Sequence, residues 1–248
     1  MRKAISRAIA GLAVVALMYS SSPQAQAAPQ TFFGEDPGQG ETIRLLAHPN
    51  ADAARTAFLS LLSGFATEDF EGFSPDTLLP LSSSFLGVDA DLTGAGILSN
   101  VPTGTDGVGL FPISGDQYLT TVTSAFTIEF ATPVAAFGFY GIDIGDFNGQ
   151  IIIELSSNTT TSLTIPHTVN GPGGSVLYFG VIDTENPFTT VTFLNSGGQT
   201  DLFGFDDVTV GSLAQVNEAP EPGTLGLIAT GLLGLMGYSW RRKYQHTA

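Results

Sequence analysis

Phe126-Thr-Ile-Glu-Phe130 decides the fold class. Its apolar residues occupy every second position, so Phe126, Ile128 and Phe130 share one face of an extended strand while Thr127 and Glu129 point to water. The same pattern spreads outward from this segment. From Thr67 onward, short runs rich in Phe, Val, Ile and Thr alternate with Gly, Asn, Pro and Asp. The expected strands are Glu68–Phe70, Phe85–Val88, Leu92–Leu98, Thr120–Phe130, Val134–Ile144, Ile151–Ser156, Ser162–Ile165, Ser175–Asp183, Thr189–Asn195 and Phe203–Val210. Strands without a βαβ rhythm or a fixed-period repeat predict an all-β, two-sheet β-sandwich, most simply a jelly roll. Within it, Ala136-Phe-Gly-Phe-Tyr140 and Phe203-Gly-Phe205 read as core packing with Gly at bends rather than as sugar platforms.

Upstream, Ala54, Ala57, Phe58, Leu61, Leu62 and Phe65 fall on one face of a 3.6-residue period. They predict one short amphipathic helix over residues 50–64, started by Asn50 or Asp52 and ended by Gly64. So short a helix survives only by docking on the β domain. Pro29–Gly40, rich in Gly, Pro and Gln, reads as a mobile lead-in.

The 248 residues hold 8 Lys+Arg, 23 Asp+Glu and no Cys. Arg2, Lys3 and Arg7 precede Ala28, and Arg241, Arg242 and Lys243 follow Pro222. Residues 28–220 therefore keep Arg44 and Arg55 against 22 acids, a net charge of −20. Such a surface repels phosphate backbones and excludes a nucleic-acid partner. Without Cys there are no disulfides, Cys-bound zinc, iron–sulfur clusters or thiol nucleophiles. His48, His167 and His246 are too scattered to form a metal motif.

Both ends read as addresses. Basic Met1–Arg7, apolar Ala8–Tyr19 and the small-residue exit Ala25-Gln-Ala27 form a signal peptide over residues 1–27, cleaved after Ala27 by signal peptidase. At the other end Pro220-Glu-Pro222 leads into uncharged Leu225–Trp240 and then Arg241-Arg-Lys243. Sixteen or so helical residues span about 25 Å, slightly short of a bilayer core, and the cations beyond would stay cytoplasmic.

Pro-Glu-Pro, short apolar helix and basic tail together resemble the PEP-CTERM sorting signal of Gram-negative, exopolysaccharide-producing bacteria. The resemblance implies processing near Pro220, Glu221 and Pro222 by exosortase, a membrane transpeptidase. It also implies a transmembrane helix that is only transient, with delivery to the cell surface or beyond. The organisation expected is signal peptide 1–27, lead-in 28–49, helix 50–64, sandwich 65–213, linker 214–219 and sorting signal 220–248.

Chemistry is sparser. Glu68-Asp-Phe-Glu-Gly72 opens the β domain and Phe205-Asp-Asp-Val208 lies in its last strand. Opening and closing acids of this kind resemble MAM-type and carbohydrate-binding jelly rolls, in which they build a structural calcium site. The resemblance carries that role to Asp69, Glu71, Asp206 and Asp207, and the alternative is two acidic edge strands in water. A second acidic loop, Gly141-Ile-Asp-Ile-Gly-Asp-Phe-Asn-Gly149, fails as an EF-hand because Leu155 stands where the twelfth-position Glu belongs. It reads as a turn between two strands with Asn148-Gly149 at positive φ. His167, a lone loop histidine, reads as a surface residue.

No G-x-S-x-G, H-E-x-x-H or phosphate loop occurs. Glu71, Glu129 and Glu154 are available as acid pairs, but abundance of acids is not a mechanism. The function expected is a non-catalytic surface or biofilm-matrix protein that binds exopolysaccharide or has a structural role. A secreted polysaccharide hydrolase is the alternative. The leader makes one sharp prediction: intact-mass analysis of the exported protein finds Ala28 at its N-terminus, and a product retaining residues 1–27 overturns the cleavage site.

Overall fold

The computed structural model describes residues 28–122, 126–197 and 201–217. The signal peptide and sorting segment, with Ala27, Pro220, Glu221 and Pro222, lie outside them. Strands numbered along the chain form two sheets in which every pairing is antiparallel. The first has the order β1 (Gln30–Asp36), β11 (Val176–Ile182), β8 (Ala136–Ile142), β13 (Leu202–Gly211), β6 (Gln117–Val122) and β5 (Gly96–Asn100). A short β2 (Ala66–Glu68) also pairs with β13. The second runs β10 (Thr160–Thr164), β9 (Ile151–Ser156), β12 (Phe188–Asn195), β7 (Phe126–Val134), β4 (Val88–Thr93) and β3 (Leu81–Phe85). One α-helix, α1 (Pro49–Leu59), precedes β2. The all-β, two-sheet sandwich follows from the alternation: Phe126, Ile128 and Phe130 are buried and Glu129 is exposed.

Between the sheets lies a phenylalanine core. Phe193 of β12 sits 4.9 Å, ring centre to ring centre, from Phe205 of β13, and 5.1 Å from both Phe126 and Phe139. The segments Ala136–Tyr140 and Phe203–Phe205 are buried, as expected of core packing.

The first sheet is buried on its other face too, because α1 covers it. Phe58 points from the helix at Gly138 and Gly180, which are direct partners across β8 and β11. A Cβ on Gly180 would stand 2.8 Å from the Phe58 ring, so glycine here is the hole that receives the knob. Phe32 of β1 closes the pocket edge-on at 5.6 Å.

Several local expectations are corrected. Pro29–Gly40 is not a mobile lead-in: it supplies β1, which pairs with β11 from Gln30 to Asp36. The helix starts at Pro49 and neither Asn50 nor Asp52 caps it. Asp36 of β1 does so, its Oδ2 accepting from the N–H groups of Asn50 at 3.0 Å and Ala51 at 2.9 Å. Asp52 instead accepts from the Tyr140 hydroxyl at 2.6 Å and lies 2.8 Å from His48 Nδ1. The helix stops at Leu59 rather than Gly64, leaving Phe65 exposed, and Ala57 within it faces solvent rather than the sheet.

Phe85–Val88 is a hairpin rather than a strand, with Leu86 and Gly87 both at positive φ as a two-residue turn requires. Thr120–Phe130 and Val134–Ile144 each change sheets, so single runs of sequence become β6 and β7, and β7 and β8. Alternation reports the strand, not the sheet it joins.

The glycine pocket predicts a stability signature. Gly180→Ala forces Phe58 aside and destabilises by roughly 1–3 kcal/mol in urea unfolding, the usual cost of overpacking. Gly72→Ala, where a Cβ meets nothing within 4 Å, leaves the midpoint unchanged. Equal effects at the two positions would refute the knob-and-hole reading.

Candidate functional site

The opening and closing strands do approach one another: β2 and β13 are paired, Glu68 opposite Val208. Beside them β13 bulges between Asp206 and Thr209, with Asp207 at φ 48. Asp206 is fully buried. Its Oδ2 accepts from the N–H groups of Ile113 at 2.7 Å and Ser114 at 3.1 Å, and its Oδ1 from that of Asp207 at 2.7 Å. Burial first, then the Asp207 charge, pushes the Asp206 carboxyl well above the usual carboxylate range, while the three amide donors oppose this.

Asp207 accepts from the Ser114 hydroxyl and lies 3.7 Å from Arg55 Nη2. Glu71 Oε1 accepts from the N–H groups of Asp116 at 2.7 Å and Gln117 at 2.6 Å, and Asp69 from that of Glu71. Asp69, Glu71 and Asp206 thus grip main chain, while Asp207 is held by the side chains of Ser114 and Arg55. The structure does not bring three of their carboxylates within 4.8 Å of one another.

Among the described residues, the group that does converge so closely is Glu41, Asp143 and Asp146. Glu41 lies between β1 and α1, and the two aspartates lie between β8 and β9. That connection crosses from the first sheet to the second, and its positive φ belongs to Asp143 rather than to Asn148-Gly149. Asp143 is 3% exposed. Its Oδ1 accepts from the Gly174 N–H at 2.5 Å, and its own N–H donates to the Ser175 carbonyl at 2.8 Å.

Asp146 Oδ1 is sealed from solvent with no hydrogen-bond partner. The carboxylates press against bare glycines: a Cβ on Gly109 would lie 2.6 Å from Asp143 Oδ2, and one on Gly173 2.5 Å from Glu41 Oε1. Burial chiefly, with neighbouring negative charge, raises Asp143 to about 7 and Asp146 to about 6. Nothing in the sequence marked Glu41 as their partner, because it arrives from about a hundred residues away.

His167 is not a surface residue. It is 4% exposed, its Nε2 accepting from the Ile151 N–H at 2.9 Å while Nδ1 donates to the Thr168 carbonyl at 2.7 Å. Burial lowers its pKa, so a neutral ring fastens the start of β9.

Among the described residues, no helix covers the outer face of the second sheet, which is hydroxyl- and carboxylate-rich. Ser82, Asp91, Glu129, Thr190 and Ser156 are successive cross-strand partners. Thr93, Thr127, Thr192, Glu154 and Ser162 form the next row. A shallow depression of about 590 Å³ lies over β3, β4 and β7. The described tyrosines, Tyr118, Tyr140 and Tyr178, are all buried and offer no platform there.

The raised aspartates set a pH dependence in chelator. Asp143 binds its proton more tightly folded, near 7, than at its ordinary 3.8, so its contribution to stability is complete at low pH and lost as pH rises through about 7. Melting curves of wild type and Asp143→Asn in chelator therefore separate progressively between about pH 4 and pH 7, wild type losing ground, and then run parallel. A constant difference across that window would show that Asp143 titrates normally.

A comparison with curated proteins finds no match. Among solved structures, the K2 cleaved adhesin domain of Lys-gingipain is similar at 13% identity and TM-score 0.40, over 60% of this chain and 98% of that one. A family 11 carbohydrate-binding module from Clostridium thermocellum is similar at 12% identity and TM-score 0.33, over 62% and 98%. A family 29 carbohydrate-binding module is similar at 14% identity and TM-score 0.32, over 64% and 98%. The C-terminal segment is more definite: residues 218–243 match the PEP-CTERM protein-sorting motif, so the chain carries the signal of an exported, exosortase-targeted protein.

Proposed function

We propose that the protein is a non-catalytic component of the cell surface or extracellular matrix that binds neutral polysaccharide through the outer face of its second sheet. In this reading signal peptidase and exosortase trim the two ends, and the sandwich is what remains to act outside. The observation that carries it is the directly opposed pair Asp91 and Glu129 on an open, hydroxyl-lined sheet face. Like charges across a strand pair are destabilising, so folding does not account for them. Carboxylates accept hydrogen bonds from sugar hydroxyls, and the Ser and Thr rows both donate and accept. With no exposed tyrosine on this face, recognition rests on hydrogen bonds rather than stacking. The negative charge of the body excludes acidic polymers as ligands.

The hydrolase reading has one observation in its favour, since the same pair could act as acid and base. An open sheet face does not enclose a sugar ring or exclude water, which favours binding over cleavage. Affinity electrophoresis in neutral glucans, mannans and galactans, with reducing-end release followed in parallel, tests both. Binding without release is expected. Asp91→Asn and Glu129→Gln weaken it at least tenfold, a loss of one or two charge-assisted hydrogen bonds, while the melting temperature holds or rises. Failure to bind any of these polymers refutes the binding reading, and reducing ends released in proportion to protein establish the hydrolase.

A further inference from the structure

We propose that Glu41, Asp143 and Asp146 bind one divalent cation of the calcium class, which fastens the segment after β1 to the connection between β8 and β9. Their ligand oxygens all lie within 4.8 Å of one another, the span across an ion with oxygen ligands at about 2.4 Å. The donors around them are insufficient. Asp146 Oδ1 is sealed from water and meets no donor, and of the Asp143 oxygens only Oδ1 has one, the Gly174 N–H. A buried carboxylate oxygen without a donor forfeits its hydration for nothing, and a cation restores what is missing.

No basic side chain of the body takes that place. Arg44 donates to the Pro112 carbonyl at 2.6 Å and lies over Phe111. Arg55 lies over Tyr140 beside Asp207. Asp201 adds a further negative charge close to Asp146, and the hydrogen bond between the two carboxyls exists only while one of them holds a proton.

The ligand chemistry selects the ion. All three donors are carboxylates, with neither His nor Cys among them, which suits a hard cation. They come from two separated loops, with Asp143 buried and Glu41 exposed, an irregular set that calcium accepts. Magnesium, which demands a small octahedral shell and keeps its waters, fits it poorly. The main chain already draws the same parts together. The Glu41 carbonyl accepts from the Gly109 N–H at 2.9 Å, and the Gly173 carbonyl accepts from the Gly40 N–H at 3.0 Å. An ion here is a clamp at the end of the sandwich. It is separate from the open sheet face, so either assignment can fail without the other.

The test is calorimetric titration of CaCl₂ into the chelator-stripped protein near neutral pH, with melting curves alongside. One site per chain is expected, with a melting temperature raised by roughly 5 °C at a hundredfold excess over Kd. Glu41→Gln, at an exposed position that tolerates the change, weakens binding at least tenfold, and Asp146→Asn does the same. Glu71→Gln, which loosens the carboxylate grip on residues 116–117, leaves the affinity unchanged. MgCl₂ at equal concentration gives no comparable rise.

Absence of calcium binding up to about 5 mM, beyond the range of extracellular sites, overturns the proposal. So does wild-type affinity in both Glu41→Gln and Asp146→Asn, or binding lost in Glu71→Gln alone.

Discussion

The fold depends on carboxylates held by backbone amides. Residues 28–220 contain 22 acids and two arginines, so ion pairs such as Arg55 with Asp207 can meet only a small part of the buried negative charge. Main-chain N–H groups meet much of the rest. Asp36 takes those of Asn50 and Ala51, Glu71 those of Asp116 and Gln117, and Asp206 those of Ile113 and Ser114. Glu35 takes that of Thr168, and Asp143 that of Gly174. Each joins segments far apart in the chain, and a hydrogen bond to an ionised group is roughly twice as strong as a neutral one. These bonds give irregular loops fixed positions without a disulfide or a lysine.

The two sheets play unequal parts as a result. Asp36 anchors the start of α1 to β1, and Phe58 then drops into the gap left by Gly138 and Gly180. That contact gives the first sheet a second buried face, which is why β8 and β11 are apolar throughout rather than alternating. The second sheet keeps the alternation, and with it the free polar face on which the functional reading rests.

This asymmetry also explains what could be read in advance. Strands with one wet face, such as Phe126–Val134 and Ile151–Ser156, carry a period of two that nothing else mimics. Buried runs such as Val176–Ile182 were legible by composition, but their sheet was not. The sequence hides β1, because Gly34 and the flanking Gly and Pro look like a loop. The Gly34 position is needed for close approach: a Cβ there would stand 2.1 Å from the Asn50 carbonyl. The helix cap is hidden too, because the capping acid lies 14 residues before Asn50, beyond any local rule. The acidic loop at Asp143–Asp146 was visible as acidic, and its third carboxylate was invisible until the chain folded.

The charge balance acquires a physical meaning from this. Six of the eight basic residues lie in the terminal segments, three of them within the sorting motif at residues 218–243. The body must therefore neutralise itself by dipoles, by solvent, or by ions from outside. Amide donors suffice where a carboxylate meets a helix or loop end-on, as at Asp36 and Glu71. Water suffices on the open sheet, where Asp91 and Glu129 are hydrated and screened. Neither suffices where Asp143 and Asp146 are drawn under two glycine-lined loops with too few amides left to donate. In an acid-rich fold without lysines, this gap between buried charge and available donors is the seat we propose for a divalent cation.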